Sequence, residues 1–468
     1  MSVWLFKVID GLVRFLAIAS IFAAMALLSN LEVKDLDIWL HLASGRYILE
    51  HRVIPHVDFL SCSVAGQPWV NHEWLFQVGI ASIYQYFGTE GWIVTQGIVV
   101  GHILILLTIL SYTREANIFL ALILFFVLHV FEVRMFLRPD MVSLFFYLFF
   151  LFVLFKGIKH KQTPWLFFIL QIIWTNMHGF FILGPVTIAI IFGGEWLKRH
   201  SKLYYFQQQT SYFLEDDYAQ LKKILIGVFA ACFINPFFIQ GVIYPFKVLF
   251  STSGHQIFYE TISELQKPID WGNIFSAELI YYKLLIVVSA ASFFFNRKRI
   301  NFSLLVIWLF FLIFSLSALR NILYFAVTAC FVTFINLQQA LPQHVYYARW
   351  NDTRRWYVVS ILFHLFLIGQ VKNHVDDLSL RGYFDFEKYE RKSEFGGVSL
   401  RNYPYKAVDF LIKENIKGNF FNDFNSGSYL LGKTFPNIKV YIDGRTEVHG
   451  SEFYKVYNLD TVIIPTNK

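Results

Sequence analysis

Residues 34–74 read KDLDIWLHLASGRYILEHRVIPHVDFLSCSVAGQPWVNHEW. They follow directly on a first apolar segment and are dense in groups that cost free energy near a bilayer: Asp35, Asp37, His41, Arg46, Asp58, His72 and Glu73. Trp39, Trp69 and Trp74 are interleaved with them, and such rings favour a membrane–water interface. Asp37 and His41 are four residues apart, which on a helix puts them on one face. A polar loop of this kind, 32–74, is expected to form the floor of an active site, and the chain on either side tests that expectation.

Outward from the loop the chain is apolar. Of 468 residues 56% are hydrophobic and only 16% charged, and 53 are Phe. No soluble core absorbs that much apolar surface, so the composition implies a multi-span membrane protein. The net charge of +7 is spread over short basic clusters between apolar runs, as the positive-inside rule requires. No nucleic-acid-binding motif accompanies it, so nucleic acid is excluded as a partner. Cys62, Cys232 and Cys330 lie far apart and form neither a disulfide framework nor a thiolate metal site. Lys7 and Arg14 precede an apolar run with no small-residue cleavage site after it, which reads as a retained signal anchor.

Taking ~20 apolar residues as one helical crossing, the hydropathy predicts about 11 transmembrane helices. They cover 12–31, 92–112, 115–131, 141–157, 164–177, 179–197, 222–240, 278–296, 302–318, 321–340 and 355–371. The short run 74–88 is predicted to be interfacial or re-entrant, because counting it as a span would place KGIKHK and NRKR outside, against the positive-inside bias. With the N-terminus cytoplasmic, EVRMFLRPD, TNMHG, the long NPFF…W segment, LRN and everything after 371 share the extracytoplasmic side with the opening loop. This gives a multi-pass protein of the plasma (inner) membrane and cell envelope, whose membrane domain is 1–371. Residues 372–468 form a small C-terminal α/β extracytoplasmic domain: a helix at YPYKAVDFLIKENI, then strand, helix, strand and helix, and a last strand at TVIIPT.

Several residues could carry chemistry. Asp35 and Asp37 are either a helix-capping pair or hold a carboxylate base for an acceptor hydroxyl; Asp37 is preferred because it shares a face with His41. His72 and Glu73 could join Asp37 around a divalent ion, but such a pair more often serves as hydrogen-bonded scaffolding. Arg134 and Arg138 either snorkel toward headgroups or clamp a phosphate, and Arg320 raises the same alternatives. Asn176 and His178 sit in a tight break that either lines a cavity or is an ordinary turn. Asp423, Asp443 and Arg445 lie at the ends of predicted strands, where turn and cap roles come first.

The blocks DIWLHLASGRYILEHRVIPHVDFLS, GQPWVNHEWL, RPD, NMHG, NPF, FNDFNSGSYL and VYIDGRTEVHG together resemble the GT-C superfamily of integral-membrane glycosyltransferases. Within it they are similar to a bacterial group. The resemblance spans nearly the whole chain; its opening and closing blocks are specific and its middle motifs generic. It implies a polyprenyl-phosphate-linked sugar donor, and an acidic first external loop that supplies the catalytic base. Asp37 matches that position, and Arg138 or Arg320 would contact the donor phosphate. Asp35, His41, His72, Glu73, Asn176 and His178 would support the cavity. The group's pattern has a second aromatic beside Trp39, where this chain has Leu40, and it continues past the last strand. The expected function is therefore transfer of a hexosyl or pentosyl unit to a lipid, glycan or protein hydroxyl, with no certain cofactor beyond an optional divalent metal. Two rival classes are a transporter or lipid-carrier flippase, which needs ionisable groups in mid-span, and a scaffold with an external binding domain.

Overall fold

In a computed structural model, the residues described are 2–29, 32–114, 116–158, 160–203, 205, 213–250, 256–343, 353–377, 384–385, 390–391, 397–400 and 402–463. Most are helical. Six stretches among them are long and apolar enough to cross a membrane: Val3–Ser29, Trp74–Ser111, Pro139–Lys156, Gly179–His200, Leu319–Ala340 and Arg354–Asp376. Shorter apolar helices at Asn117–Glu132, Ile280–Phe295 and Phe302–Ser317 run among them. The innermost is Leu319–Ala340, buried along nearly its whole length. A helix buried on all sides must be apolar all round and must satisfy its polar atoms internally. Thr328 and Thr333 do so by donating to the carbonyls of Tyr324 and Ala329, four residues back.

The run 74–88, expected to be interfacial or re-entrant, is set off from the span that follows it by a sharp bend. Helical turns continue from Trp74 to Ser111, with only Gly88 out of helical geometry at φ 62°, ψ −155°. A straight helix would hold residues 80 and 92 about 18 Å apart. Instead the indole of Trp92 donates to the carbonyl of Ile80 at 2.9 Å. The chain therefore doubles back at Gly88, where the positive φ favours glycine, and lays Trp74–Phe87 against the start of the next segment.

The opening stretch forms the helix Ile38–His51, then a loop in which Val57 pairs with Pro68. Its partner is the C-terminal segment. There, Gly418–Phe420 and Ile438–Val440 pair in parallel, and the helices Tyr405–Lys413, Phe424–Thr434, Thr446–His449 and Ser451–Ile463 flank them. Asp423 caps the second of these helices by accepting from the N–H groups of Asn425 and Ser426, each at 3.0 Å. The strand expected at 461–466 is absent where it can be seen: 461–463 continue the last helix, and 464–466 lie outside the described residues. Its β-branched residues yield to a helix already anchored by Tyr454 and Tyr457 against Phe258 and Ile442.

The two parts share a core. Trp39 is fully buried beneath Tyr84, Trp92, Tyr403 and Tyr429, all at edge-to-face angles. Ser61 bridges to Val440, the N–H of Cys62 donates to the Val440 carbonyl at 2.8 Å, and Ser63 donates to the carbonyl of Tyr441. Further back, Val33 exchanges backbone bonds with Gly397 and Ser399, and Tyr403 donates to the Asp35 carbonyl at 2.6 Å.

Candidate active site

Asp37 occupies the N-cap position of the Ile38–His51 helix, but its side chain makes no capping bond. The capping explanation thus loses its main support, and the carboxylate is left for other work. Asp37 Oδ2 lies 3.3 Å from the Arg138 guanidinium, and a third of the side chain remains open. Asp35 is far more committed. Its Oδ1 accepts from Arg138 at 2.6 and 2.8 Å, while the residue is only 5% exposed.

Arg138 is aimed at this pair by local chemistry. Pro139 begins the next helix and holds the preceding residue extended, at φ −121°, ψ 162°. The other side of the guanidinium meets Glu264, which also takes Arg134 at 2.8 Å; Arg134 in turn reaches Asp140 at 3.2 Å. Arg134 and Arg138 do not converge by lying on one helical face, since the chain between them turns and extends. They converge because Glu264 stands between them. That residue, in the long NPFF…W segment, was not singled out by its sequence context.

Arg320 is held differently. The backbone of its turn hangs on the Glu264 segment, Leu319 N–H donating to the Gln266 carbonyl at 2.8 Å. Its guanidinium lies 5.5 Å over the Phe180 ring. Among the described residues no ion pair is formed by it, and its buried Nε has no hydrogen-bond partner.

A second group gathers around Glu73. His72 lies 3.5 Å and His178 3.8 Å from its carboxylate. His178 Nδ1 is 2.9 Å from the Ser143 hydroxyl. His41 is not paired with Asp37 through its side chain; it is 5% exposed, packs edge-on against Phe76 and feels the charge of Glu73. Asn176 ties the frame together, accepting from the Trp74 indole and donating to the carbonyls of Ile172 and Ile234, each at 2.8 Å.

These contacts set the protonation states. Burial pushes the Asp37 carboxyl up to about 7, with Arg138 opposing and the neighbouring Asp35, Glu264 and Glu73 charges assisting. Burial would raise Glu264 as well, but Arg138, Arg134 and Arg320 outweigh it and hold the group at about 2. Glu73 follows the same logic, its burial overridden by His72, His41 and His178. Burial lowers His178 to about 4, so it is neutral at physiological pH. The arrangement can therefore accept a proton at Asp37 near neutral pH, beside permanently charged arginines.

Among the described residues no three carboxylates, imidazoles or thiolates gather as ligands, and Asp37, His72 and Glu73 are no exception. Of the residues weighed for a divalent ion, Asp37 faces Arg138, and Glu73 faces His72 and His178.

The helical membrane bundle, with its acidic loop packed against the C-terminal unit, has a fold also met in solved membrane proteins. Two solved structures carry that likeness. One is the oligosaccharyltransferase of Archaeoglobus fulgidus in its apo form, at a TM-score of 0.54 and 12% identity. The other is the oligosaccharyltransferase AglB from the same organism in complex with an inhibitory peptide and a dolichol-phosphate, at a TM-score of 0.56 and 12% identity. Each alignment covers 91% of this chain and 64% of the archaeal one, so the chain spans less than two thirds of the structures it resembles. No protein-family model matches the sequence, and no curated protein does.

Proposed function

We propose that this protein is a membrane glycosyltransferase that moves a sugar from a polyprenyl-phosphate donor to an acceptor hydroxyl. The observation that carries the reading is Asp37: a carboxylate released from capping, partly open and titrating near neutrality, while among the described residues Arg320 forms no ion pair and acts on Glu264 only through its charge. Asp37 takes the proton of the acceptor hydroxyl as its oxygen attacks the anomeric carbon. The glycosidic bond forms, the bond from that carbon to the phosphate oxygen breaks, and the electron pair leaves with the polyprenyl phosphate. A phosphate leaves well enough that a cation serves it better than a general acid, and Arg320 is the cation for it. Arg138, committed to Asp35 and Glu264, orients Asp37.

The dolichol-phosphate seen with the archaeal AglB supports a lipid-phosphate carrier as the donor class. The alternation of polar breaks with basic ends supports about 11 spans, an external site and a cytoplasmic N-terminus. On this reading the α/β unit beyond residue 371 is external too. The test is to incubate purified protein with a panel of polyprenyl-phosphate sugars and hydroxyl acceptors and follow Asp37-dependent turnover. If no donor in the panel is consumed, and a lipid carrier is instead moved across vesicles, the flippase reading replaces this one.

A further inference from the structure

The turn Asp443–Gly444–Arg445 closes directly over the opening loop. A Cβ built on Gly444 would stand 2.4 Å from Asp37 Oδ1 and 3.7 Å from Ser428 Oγ. Gly444 lies outside the left-handed region, so its backbone conformation does not demand glycine. What demands it is the space the carboxylate occupies. The next residue fixes the turn to the loop. Arg445 is buried, with its guanidinium 2.6 Å from Asp58 Oδ1, 2.6 and 2.9 Å from the two Asp443 oxygens, and 4.7 Å over the Trp69 ring. Asp58 in turn accepts from the N–H groups of Leu60 and Ser61. The Asp37 carboxylate is thus confined between the Arg138 guanidinium on one side and the Gly444 backbone on the other.

We infer that the C-terminal turn is a positioning element for Asp37: Gly444 sets how far the carboxylate can retreat from the acceptor, and Arg445 locks the turn onto the loop that carries Asp37. The C-terminal unit is then part of the catalytic assembly and not an appended binding module. The inference rests on Asp37 being the base. Both residues act through Asp37, so the chemical step should suffer while donor binding does not.

The experiment is the full-length protein with Gly444→Ala, assayed for transfer from the donor that the wild type turns over. We expect kcat to fall about tenfold to hundredfold, the cost of a misplaced reacting group, with the KM for donor within about twofold. In the Asp37→Asn background the same substitution should cost less than about twofold, because contacting residues that act as a unit are not additive. Arg445→Lys keeps the buried charge and the free space but loses the forked geometry. It carries the test if the first variant fails to accumulate, with kcat down at least about fivefold and donor KM unchanged. A kcat within twofold of wild type for Gly444→Ala, or for Arg445→Lys where that variant stands in, overturns the inference. So does a loss that appears equally in kcat and in donor KM. A fully active Asp37→Asn would instead overturn the base assignment itself.

Discussion

Replacing Asp37 with Asn should abolish transfer without unfolding the protein, and the structure gives both halves of that expectation. An N-cap carboxylate is commonly worth about 1 kcal/mol, but Asp37 makes no capping bond, so that contribution is not there to lose. Among the described residues its ion pair, at 3.3 Å, is with Arg138, which keeps Asp35 at 2.6 Å and Glu264 after the change. The thermal midpoint should therefore stay close to wild type. The rate should not: a positioned general base contributes roughly 10²–10⁴-fold, or about 3–5 kcal/mol of barrier. The pH dependence supplies an independent signature. Burial raises Asp37 to about 7, so below that pH the carboxyl is protonated and cannot accept the hydroxyl proton. The wild-type kcat/KM should then fall about tenfold per pH unit below neutrality and level off above it, while the residual rate of the Asn variant should show no such limb. The assay is a pH series with purified protein in lipid nanodiscs, a polyprenyl-phosphate sugar and a hydroxyl acceptor. An Asn variant with wild-type turnover, or one whose residual rate keeps the acid limb, would refute the reasoning.

Other perturbations separate the remaining roles. Arg320→Ala should lower kcat by about 10²–10³-fold through loss of the cation facing the leaving phosphate, with Arg320→Lys recovering part of it; equal rates for all three proteins would remove Arg320 from the mechanism. Dialysis against EDTA should leave the rate within about twofold, because Asp37 already faces Arg138 and Glu73 faces His72 and His178, whereas loss of a Lewis-acid metal costs several kcal/mol. Asn176→Leu should destabilise the fold by about 1–3 kcal/mol per buried group left unpaired, measured as a fall in thermal midpoint, since Trp74 and Ile234 both lose their partner. Trp39→Ala should cost about 3–5 kcal/mol and expose the joint with the C-terminal unit to protease, because that ring is buried against Tyr403 and Tyr429.

The membrane class was legible because it is written in local composition: apolar runs of span length, with charge mostly at their ends. The run 74–88 was legible as a separate interfacial or re-entrant element; that the chain doubles back at Gly88 was not. Hydropathy registers how apolar a segment is but not the sign of φ at one glycine, and the evidence for the bend is a hydrogen bond between residues twelve apart. The last predicted strand failed for a related reason. Thr461, Val462 and Ile463 have strand propensity, yet they extend a helix that Tyr454 and Tyr457 had already fixed to the core.

Within the site, local pattern found the groups but not their partners. Asp37 and His41 share a spacing, yet the His41 ring packs on Phe76, and the residue that reaches Asp37 is Arg138, a hundred positions on. Glu264 carries no motif at all; it matters because two arginines, themselves drawn from an unremarkable span end, close on it. Gly444 is the same case from the other direction, a glycine whose reason is a carboxylate four hundred residues earlier. Two acidic residues in one short loop differ on paper only in the spacing of Asp37 to His41. Folding makes them unequal by tying Asp35 to Arg138 and the Tyr403 hydroxyl to its backbone carbonyl, and by leaving Asp37 one ion pair, no cap and an open edge. On the proposed reading, the choice of base is a property of what the rest of the chain withholds from Asp37, and that is distributed over segments no sequence window contains.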